Sequence, residues 1–263
     1  MSKNASLVVV GTGIKLLSHL TRESETYIKE SQKVLYLVNE PLLKEWVEKT
    51  NPNSESLDNL YQKYPLRLHC YRAITEYIVE TVRSGEHVCV VFDGHPTVFA
   101  QSALHAVIQA RKEGFDARVL PGISAEDCLF ADLLINPGTY GCQSYEATDF
   151  LVREQKCDLF SHLILWQVGF IGVLDRPDDH DNTQGIQILI KHLRQYYALD
   201  HKVIVYEAAL YPHYKPRIEE YELSKLSQAK LTRISTLYIP PVSKAKCSET
   251  MLESLGIMVE NLT

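Results

Sequence analysis

No run of apolar side chains in this sequence reaches the length of a bilayer. The longest nearly apolar stretch, Leu163 to Leu174, contains Gln167 and two glycines. It falls short of the roughly 18 to 20 residues that a spanning helix needs, so no membrane association is expected. A secretion signal is missing too: Met1 to Ser6, ahead of the first apolar run, is too short for a charged region followed by an apolar one, and a cytoplasmic chain is expected. Positive charge is scarce, with 27 Lys and Arg against 33 Asp and Glu, a net charge of -6 and a pI near 5.9. That balance argues against a nucleic-acid partner held by phosphate neutralisation and favours a small or peptidic one. Cys70, Cys89, Cys128, Cys142, Cys157 and Cys247 form no Cys-x-x-Cys pair, and the histidines form no His-x-x-x-His set. Reduced structural thiols and no metal are expected. Repeats and low-complexity tracts are absent. With 45% hydrophobic and 23% charged residues, the chain has the composition of a folded protein, and its 263 residues suffice for one large or two small domains.

What is present is alternation. Short apolar runs at Ser6 to Val10, Val34 to Val38, Val88 to Phe92, Ala117 to Leu120, Leu163 to Val168, Val203 to Tyr206 and Ile234 to Ile239 read as strands. Helical periods separate them at Thr21 to Lys33, Pro41 to Glu48, Tyr71 to Arg83, Val98 to Lys112, Glu126 to Leu134, Ile186 to Tyr197 and Ser248 to Leu255. Such alternation predicts an α/β fold with a largely parallel or mixed sheet covered by helices. The pattern changes near Leu120-Pro121-Gly122, which predicts an N-terminal α/β subdomain over 1–120, a C-terminal one over 121–243, and a helix and tail over 244–263. The acid-rich stretch Asp175 to Gly185 reads as an exposed connection rather than a cation site.

Three strand ends and one helix start carry candidate chemistry. Gly11-Thr12-Gly13 ends the first strand where backbone amides can approach a ligand, although tight-turn packing would also explain it. It lacks the third glycine of the dinucleotide fingerprint, which disfavours a nicotinamide domain. Asp93-Gly94-His95-Pro96 follows a buried strand, where ligands of open α/β sheets gather; His95 is either a base or a ligand contact, with a capping or loop histidine as the plainer reading. Pro121-Gly122-Ile123-Ser124-Ala125 repeats that layout, and helix capping is sufficient for Ser124. Finally, Arg67 and Tyr71 are spaced to share a helix face close to Tyr61. A permanent cation beside a tyrosine can polarise a carbonyl and manage a proton, while Arg stacked on Tyr for stability is the alternative.

Together these motifs resemble the tetrapyrrole methylase superfamily and, within it, the borosin peptide backbone α-N-methyltransferases. Phe92-Asp-Gly-His-Pro96, Leu120-Pro-Gly-Ile-Ser-Ala-Glu-Asp127, Phe130 to Leu133, Thr139-Tyr-Gly-Cys142, Glu146-Ala-Thr148, Trp166-Gln-Val-Gly169, Leu199 to Lys202 and Ser235 to Pro241 carry the likeness over nearly the whole chain. The resemblance implies two α/β subdomains with S-adenosylmethionine in the cleft between them, leaving as S-adenosylhomocysteine. It implies cofactor contacts from Asp93, His95, Val98, Ser124, Ala125, Gln167, Ala209, Leu210, Ser235 and Thr236, and a catalytic group of Tyr61, Arg67 and Tyr71, with no metal. Fungal self-methylating members often have Tyr where this chain has Asp93, which implies an acid accepting a hydrogen bond from the methionine amine or the ribose. It also implies a homodimer. In fused members the methylated peptide follows the catalytic domain. Here only Lys244 to Thr263 follows Pro240-Pro241-Val242-Ser243, so the expectation is a split system acting in trans on a separate precursor with a leader and an apolar core, two peptides per dimer. The rival expectations are a corrin or porphyrin C-methyltransferase and a cofactor-binding scaffold without catalysis.

Overall fold

The computed structural model describes residues 5–175 and 181–258. The chain forms two compact units. One comprises Met1–Leu134 with the later segments Val173–Asp179 and Ala208–Arg217; the other comprises Ile135–Gly172, His180–Glu207 and Ile218–Thr263. Leu120, where the sequence suggests a boundary, lies inside the first unit, and two later segments return to it. Long-range hydrogen bonds tie them there: the Leu16 N–H donates to the Leu210 carbonyl at 2.8 Å and the Arg67 N–H to the Leu174 carbonyl at 3.4 Å. A division drawn along the sequence cannot capture such returns.

In the first unit the order is β1 (Ser6–Gly11), α1 (Arg22–Glu30), β2 (Lys33–Leu37), α2 (Pro41–Thr50), β3 (Ser54–Ser56), α3 (Asp58–Lys63), α4 (Arg67–Arg83), β4 (His87–Phe92), α5 (Gln101–Lys112), β5 (Asp116–Val119) and α6 (Ala125–Asp132). The strands pair in parallel in the order β3-β2-β4-β1-β5. A strand's side chains alternate between faces, and here both faces are buried. Leu7 and Val9 of β1 and Val88, Val90 and Phe92 of β4 pack with Ile74 and Ile78 of α4 and Ala103, Ala106 and Val107 of α5. Val8, Val10, Cys89 and Val91 pack with Ile28 of α1 and with Leu43 and Val47 of α2. Burial on both sides is why these strands read as unbroken apolar runs.

The second unit contains α7 (Pro137–Tyr140), β6 (Cys142–Glu146), α8 (Ala147–Val152), β7 (His162–Trp166), α9 (Thr183–Leu193), β8 (Lys202–Glu207), β9 (Arg217–Glu222), β10 (Thr236–Ile239) and α10 (Glu249–Leu255). Its sheet runs β6-β7-β10-β8-β9, with β6 and β7 parallel and β10 antiparallel to both its neighbours, so it is mixed. Its core joins Leu163 and Leu165 of β7, Val203 and Val205 of β8, and Leu237 and Ile239 of β10 to Ile186, Leu189 and Leu193 of α9.

The strands the sequence does not announce are β3, β6 and β9, with sequences SES, CQSYE and RIEEYE. All three are edge strands. An edge strand faces solvent along one side and is commonly short or charged, so it carries no apolar run to detect. Among the described residues no helix is long and apolar enough to cross a membrane, and no group of three His, Cys, Asp or Glu side chains could hold a metal ion. The acid-rich stretch between Asp175 and Gly185 lies partly outside the described residues.

Candidate functional site

In the first unit the three glycine motifs meet at the carboxyl ends of β1, β4 and β5. Parallel register sets Gly11 opposite Phe92. Beyond it, Gly13 and Gly94 exchange backbone hydrogen bonds at 3.2 and 3.1 Å, and the Thr12 N–H donates to the Phe92 carbonyl at 2.9 Å. A Cβ at Gly11 would lie 2.1 Å from the Gly94 carbonyl oxygen, and one at Gly122 would lie 2.9 Å from the same atom. The loops approach so closely that glycine is required at both positions, and the approach assembles the strand ends into one compact ligand-side surface.

Asp93 and His95 project from this platform. Asp93 Oδ2 accepts two hydrogen bonds from Asn39, from its backbone N–H at 2.8 Å and from Nδ2 at 2.7 Å. Burial raises the Asp93 pKa, opposed by the two Asn39 bonds and by Lys44, while Glu40 adds to the rise. His95 Nδ1 accepts the Thr97 N–H at 3.2 Å and lies 3.0 Å from the Thr97 hydroxyl. Val98 follows, and Phe99 holds a left-handed backbone at φ 57°. An aromatic residue in that region is strained by about 1 to 3 kcal/mol, the kind of cost that concentrates at ligand sites. Ser124 is buried and caps α6 reciprocally with Asp127: its Oγ accepts the Asp127 N–H at 3.2 Å and donates to Asp127 Oδ2 at 2.7 Å. The expected capping role is therefore present, and Ala125 opens the helix. The returning segment contributes buried Ala209 and exposed Leu210.

The second group lies at the α3–α4 junction. Tyr61 of α3 and Tyr71 of α4 stack with ring centroids 6.5 Å apart and planes inclined by 28°. Arg67 is the first residue of α4, one turn before Tyr71, and its guanidinium donates to the Val173 carbonyl. The helix starts with no side-chain cap and no acid in its first turn. A cation there opposes the helix dipole. Arg67 and the positive end of the helix dipole together make a region suited to charge developing on an oxygen. Tyr61, Arg67 and Tyr71 are all half-buried.

The second unit presents its own set at the carboxyl end of β7. Gln167 is left-handed at φ 57° and is followed by a short 3-10 turn, Val168–Phe170. The Val168 N–H donates to the Ser235 carbonyl at 3.3 Å. Ser235 is fully buried, and Thr236 opens β10 opposite Tyr206 of β8. Two residues at these sites escape the sequence reading: Asn39, which holds Asp93, and Glu207, whose carboxylate accepts the Ser235 and Thr232 hydroxyls at 2.5 and 2.8 Å. Each is a polar residue at or just past the carboxyl end of an apolar strand, a signal the sequence does contain.

The side chains fit S-adenosylmethionine by their chemistry. Asp93 supplies an acceptor for an ammonium or a ribose hydroxyl, since Asn39 engages only one of its oxygens. Val98 and Leu210 are exposed apolar side chains of the kind a nucleoside packs on. Residues 6–225 match the family described as Tetrapyrrole (Corrin/Porphyrin) Methylases. A relative in Dendrothele bispora, the methyltransferase/ribosomally synthesized cyclic peptide dendrothelin A precursor, is 38% identical over 98% of this chain and 63% of its own length. The chain thus spans less than two thirds of that relative. A methyltransferase/ribosomally synthesized type I borosin cyclic peptide precursor of Coprinopsis marcescibilis is 37% identical over 97% of this chain and 68% of its own. Among solved structures, uroporphyrin-III-C-methyltransferase from Thermus thermophilus shares the fold with a TM-score of 0.64 at 17% identity, covering 91% of this chain and 93% of that one. The α/β architecture and the resemblance read from the motifs are both borne out, and the chain belongs to the tetrapyrrole (corrin/porphyrin) methylase family.

Proposed function

We propose that this protein is an S-adenosylmethionine-dependent methyltransferase that N-methylates backbone amides of a ribosomally made peptide, bound as a separate chain with a leader and an apolar core. The observation that carries the reading is the Tyr61–Tyr71 stack beside Arg67 at an uncapped helix start, together with relatives whose names join methyltransferase to peptide precursor. Asp93, His95, Val98, Ser124, Ala125, Ala209 and Leu210 of the first unit, and Gln167, Ser235 and Thr236 of the second, are the residues assigned to hold the cofactor. When bound, S-adenosylmethionine supplies an electrophilic methyl group on a sulfonium.

The chain's own task is the amide. Resonance ties the nitrogen lone pair into the carbonyl, so an amide N–H is a poor nucleophile until charge on its oxygen is stabilised and its proton removed. Arg67, with Tyr61, hydrogen-bonds the amide oxygen and holds the developing negative charge. Tyr71, one turn along α4, takes the nitrogen proton onto its phenolate oxygen, directly or through water. The bond to the Val173 carbonyl fixes the direction of the Arg67 side chain.

Co-expression with a leader-bearing apolar peptide, followed by fragment-ion mapping, is expected to show backbone increments of about 14 Da per methyl group on that peptide. Increments on this chain instead would replace the trans arrangement with self-methylation. Arg67→Ala and Tyr71→Phe are each expected to lower the rate by at least about a hundredfold while leaving S-adenosylhomocysteine affinity unchanged by calorimetry. Full rate in both variants would remove the catalytic assignment. Methylation of a porphyrin precursor in place of the peptide would favour the corrin and porphyrin reading. The proposal includes a homodimer carrying two peptides, which native mass spectrometry reads directly.

A further inference from the structure

Glu207 ends β8, and its carboxylate reaches the turn that precedes β10. Oε1 accepts the Ser235 hydroxyl at 2.5 Å and the Thr232 hydroxyl at 2.8 Å. Ser235 is fully buried, so its hydroxyl must find partners inside the protein. With its proton given to Glu207, Ser235 Oγ turns a lone pair to the Thr232 N–H at 2.8 Å, and the Ser235 N–H closes on the Thr232 carbonyl at 3.2 Å. The turn is thereby locked in one conformation. It bears on β7 at two points. The Ser235 carbonyl receives the Val168 N–H at 3.3 Å. Gly169 lies so close to the turn that a Cβ there would be 2.1 Å from the Thr232 carbonyl oxygen. Both points immediately follow Gln167, whose left-handed backbone persists only while its surroundings over-determine it.

We infer that Glu207 is a positioning residue for cofactor binding: through Ser235 and Thr232 it fixes the conformation of Gln167 and the start of β10 at Thr236. This rests on the assignment of Gln167, Ser235 and Thr236 to the cofactor. A carboxylate suits the task because one ionised oxygen accepts two O–H donors strongly, and charge-assisted bonds of this kind are short and well oriented. Glu207 acts through the turn, by its bonds to Ser235 and Thr232.

The experiment measures S-adenosylhomocysteine affinity by calorimetry, and KM and kcat with the peptide substrate, for Glu207→Ala, Glu207→Gln, Gln167→Ala and the unchanged protein. Glu207→Ala is expected to weaken affinity and raise the cofactor KM by about tenfold, with kcat at saturation within about twofold. Glu207→Gln retains an acceptor oxygen at the same reach and is expected to recover to within about threefold of the unchanged protein. Should Glu207→Ala fold poorly, Glu207→Gln against Thr232→Val reads the same network in chains that keep most of it. A Glu207→Ala protein of unchanged affinity, or one losing kcat with affinity intact, overturns the inference. If Gln167→Ala leaves affinity unchanged as well, the cofactor assignment of this unit fails; if Gln167→Ala weakens binding and the Glu207 variants do not, the positioning role alone fails.

Discussion

Asp93 and its partner show how a single side chain is given a task. A carboxyl group half removed from water is pushed toward its neutral form, yet two donors from Asn39 converge on one of its oxygens and oppose that shift. Asn39→Ala removes the side-chain donor and is expected to raise the Asp93 pKa further, which side-chain carboxyl NMR can follow. The glycines act by size instead. Gly11→Ala drives a Cβ to 2.1 Å from the Gly94 carbonyl oxygen and 2.8 Å from Pro96 Cδ, both in a rigid loop. A cost of about 3 kcal/mol is expected in chemical denaturation, since backbone must move. Gly114→Ala meets nothing within 4 Å and carries only the burden of φ +88°, for about 1 kcal/mol. Equal losses at the two sites would contradict the steric account. Glycine-bearing strand ends were legible in the sequence; the atoms they meet were not, because Gly11 and Gly94 come together only through the β1–β4 register.

At the scale of elements, α4 and α5 are joined at their ends by Arg83 and Glu113, whose side chains form a two-bonded pair at 2.8 and 2.5 Å. The Arg83 hydrogen bonds, then the bond from Gln109, hold the Glu113 carboxyl at about 2, below its ordinary value of 4.5. A carboxyl depressed in the folded state binds its proton less readily than in the unfolded chain, so the stabilisation is complete above about pH 4.5 and disappears as pH falls through about 2. Glu113→Gln is expected to flatten the acid limb of the stability curve in that window and to change it little near pH 2. An unchanged slope between those limits would remove the pair from the acid response. Element legibility follows burial. Strands covered on both faces announced themselves, whereas β3, β6 and β9 did not, since an edge strand such as RIEEYE carries the alternation of a surface. The start of α4 is the converse case: the helix was visible from Tyr71 onward, but its first turn lacks the cap that normally marks a beginning.

For the whole molecule, net charge sets what it does at a distance. With -6 overall, the chain is expected to pass unretained through a heparin column at about 0.15 M salt, where roughly 8 Å of screening leaves only clustered cations able to hold a polyanion; strong retention would show a basic face that the totals conceal. The sequence by itself determined the α/β class, the buried strands and the glycine-bearing strand ends, because burial on both faces of a sheet and close backbone approach each demand particular residue types at local spacings; the family was legible through the resemblance of its motifs. Only the tertiary structure decided that the segments after Gly172 and Glu207 return to the first unit. It alone brought Asn39 to Asp93 across 54 positions and Ser235 to Glu207 across 28. A hydrogen bond between such distant residues imposes no periodicity on the chain between them, so those partners exist as a pattern only once the strands have paired.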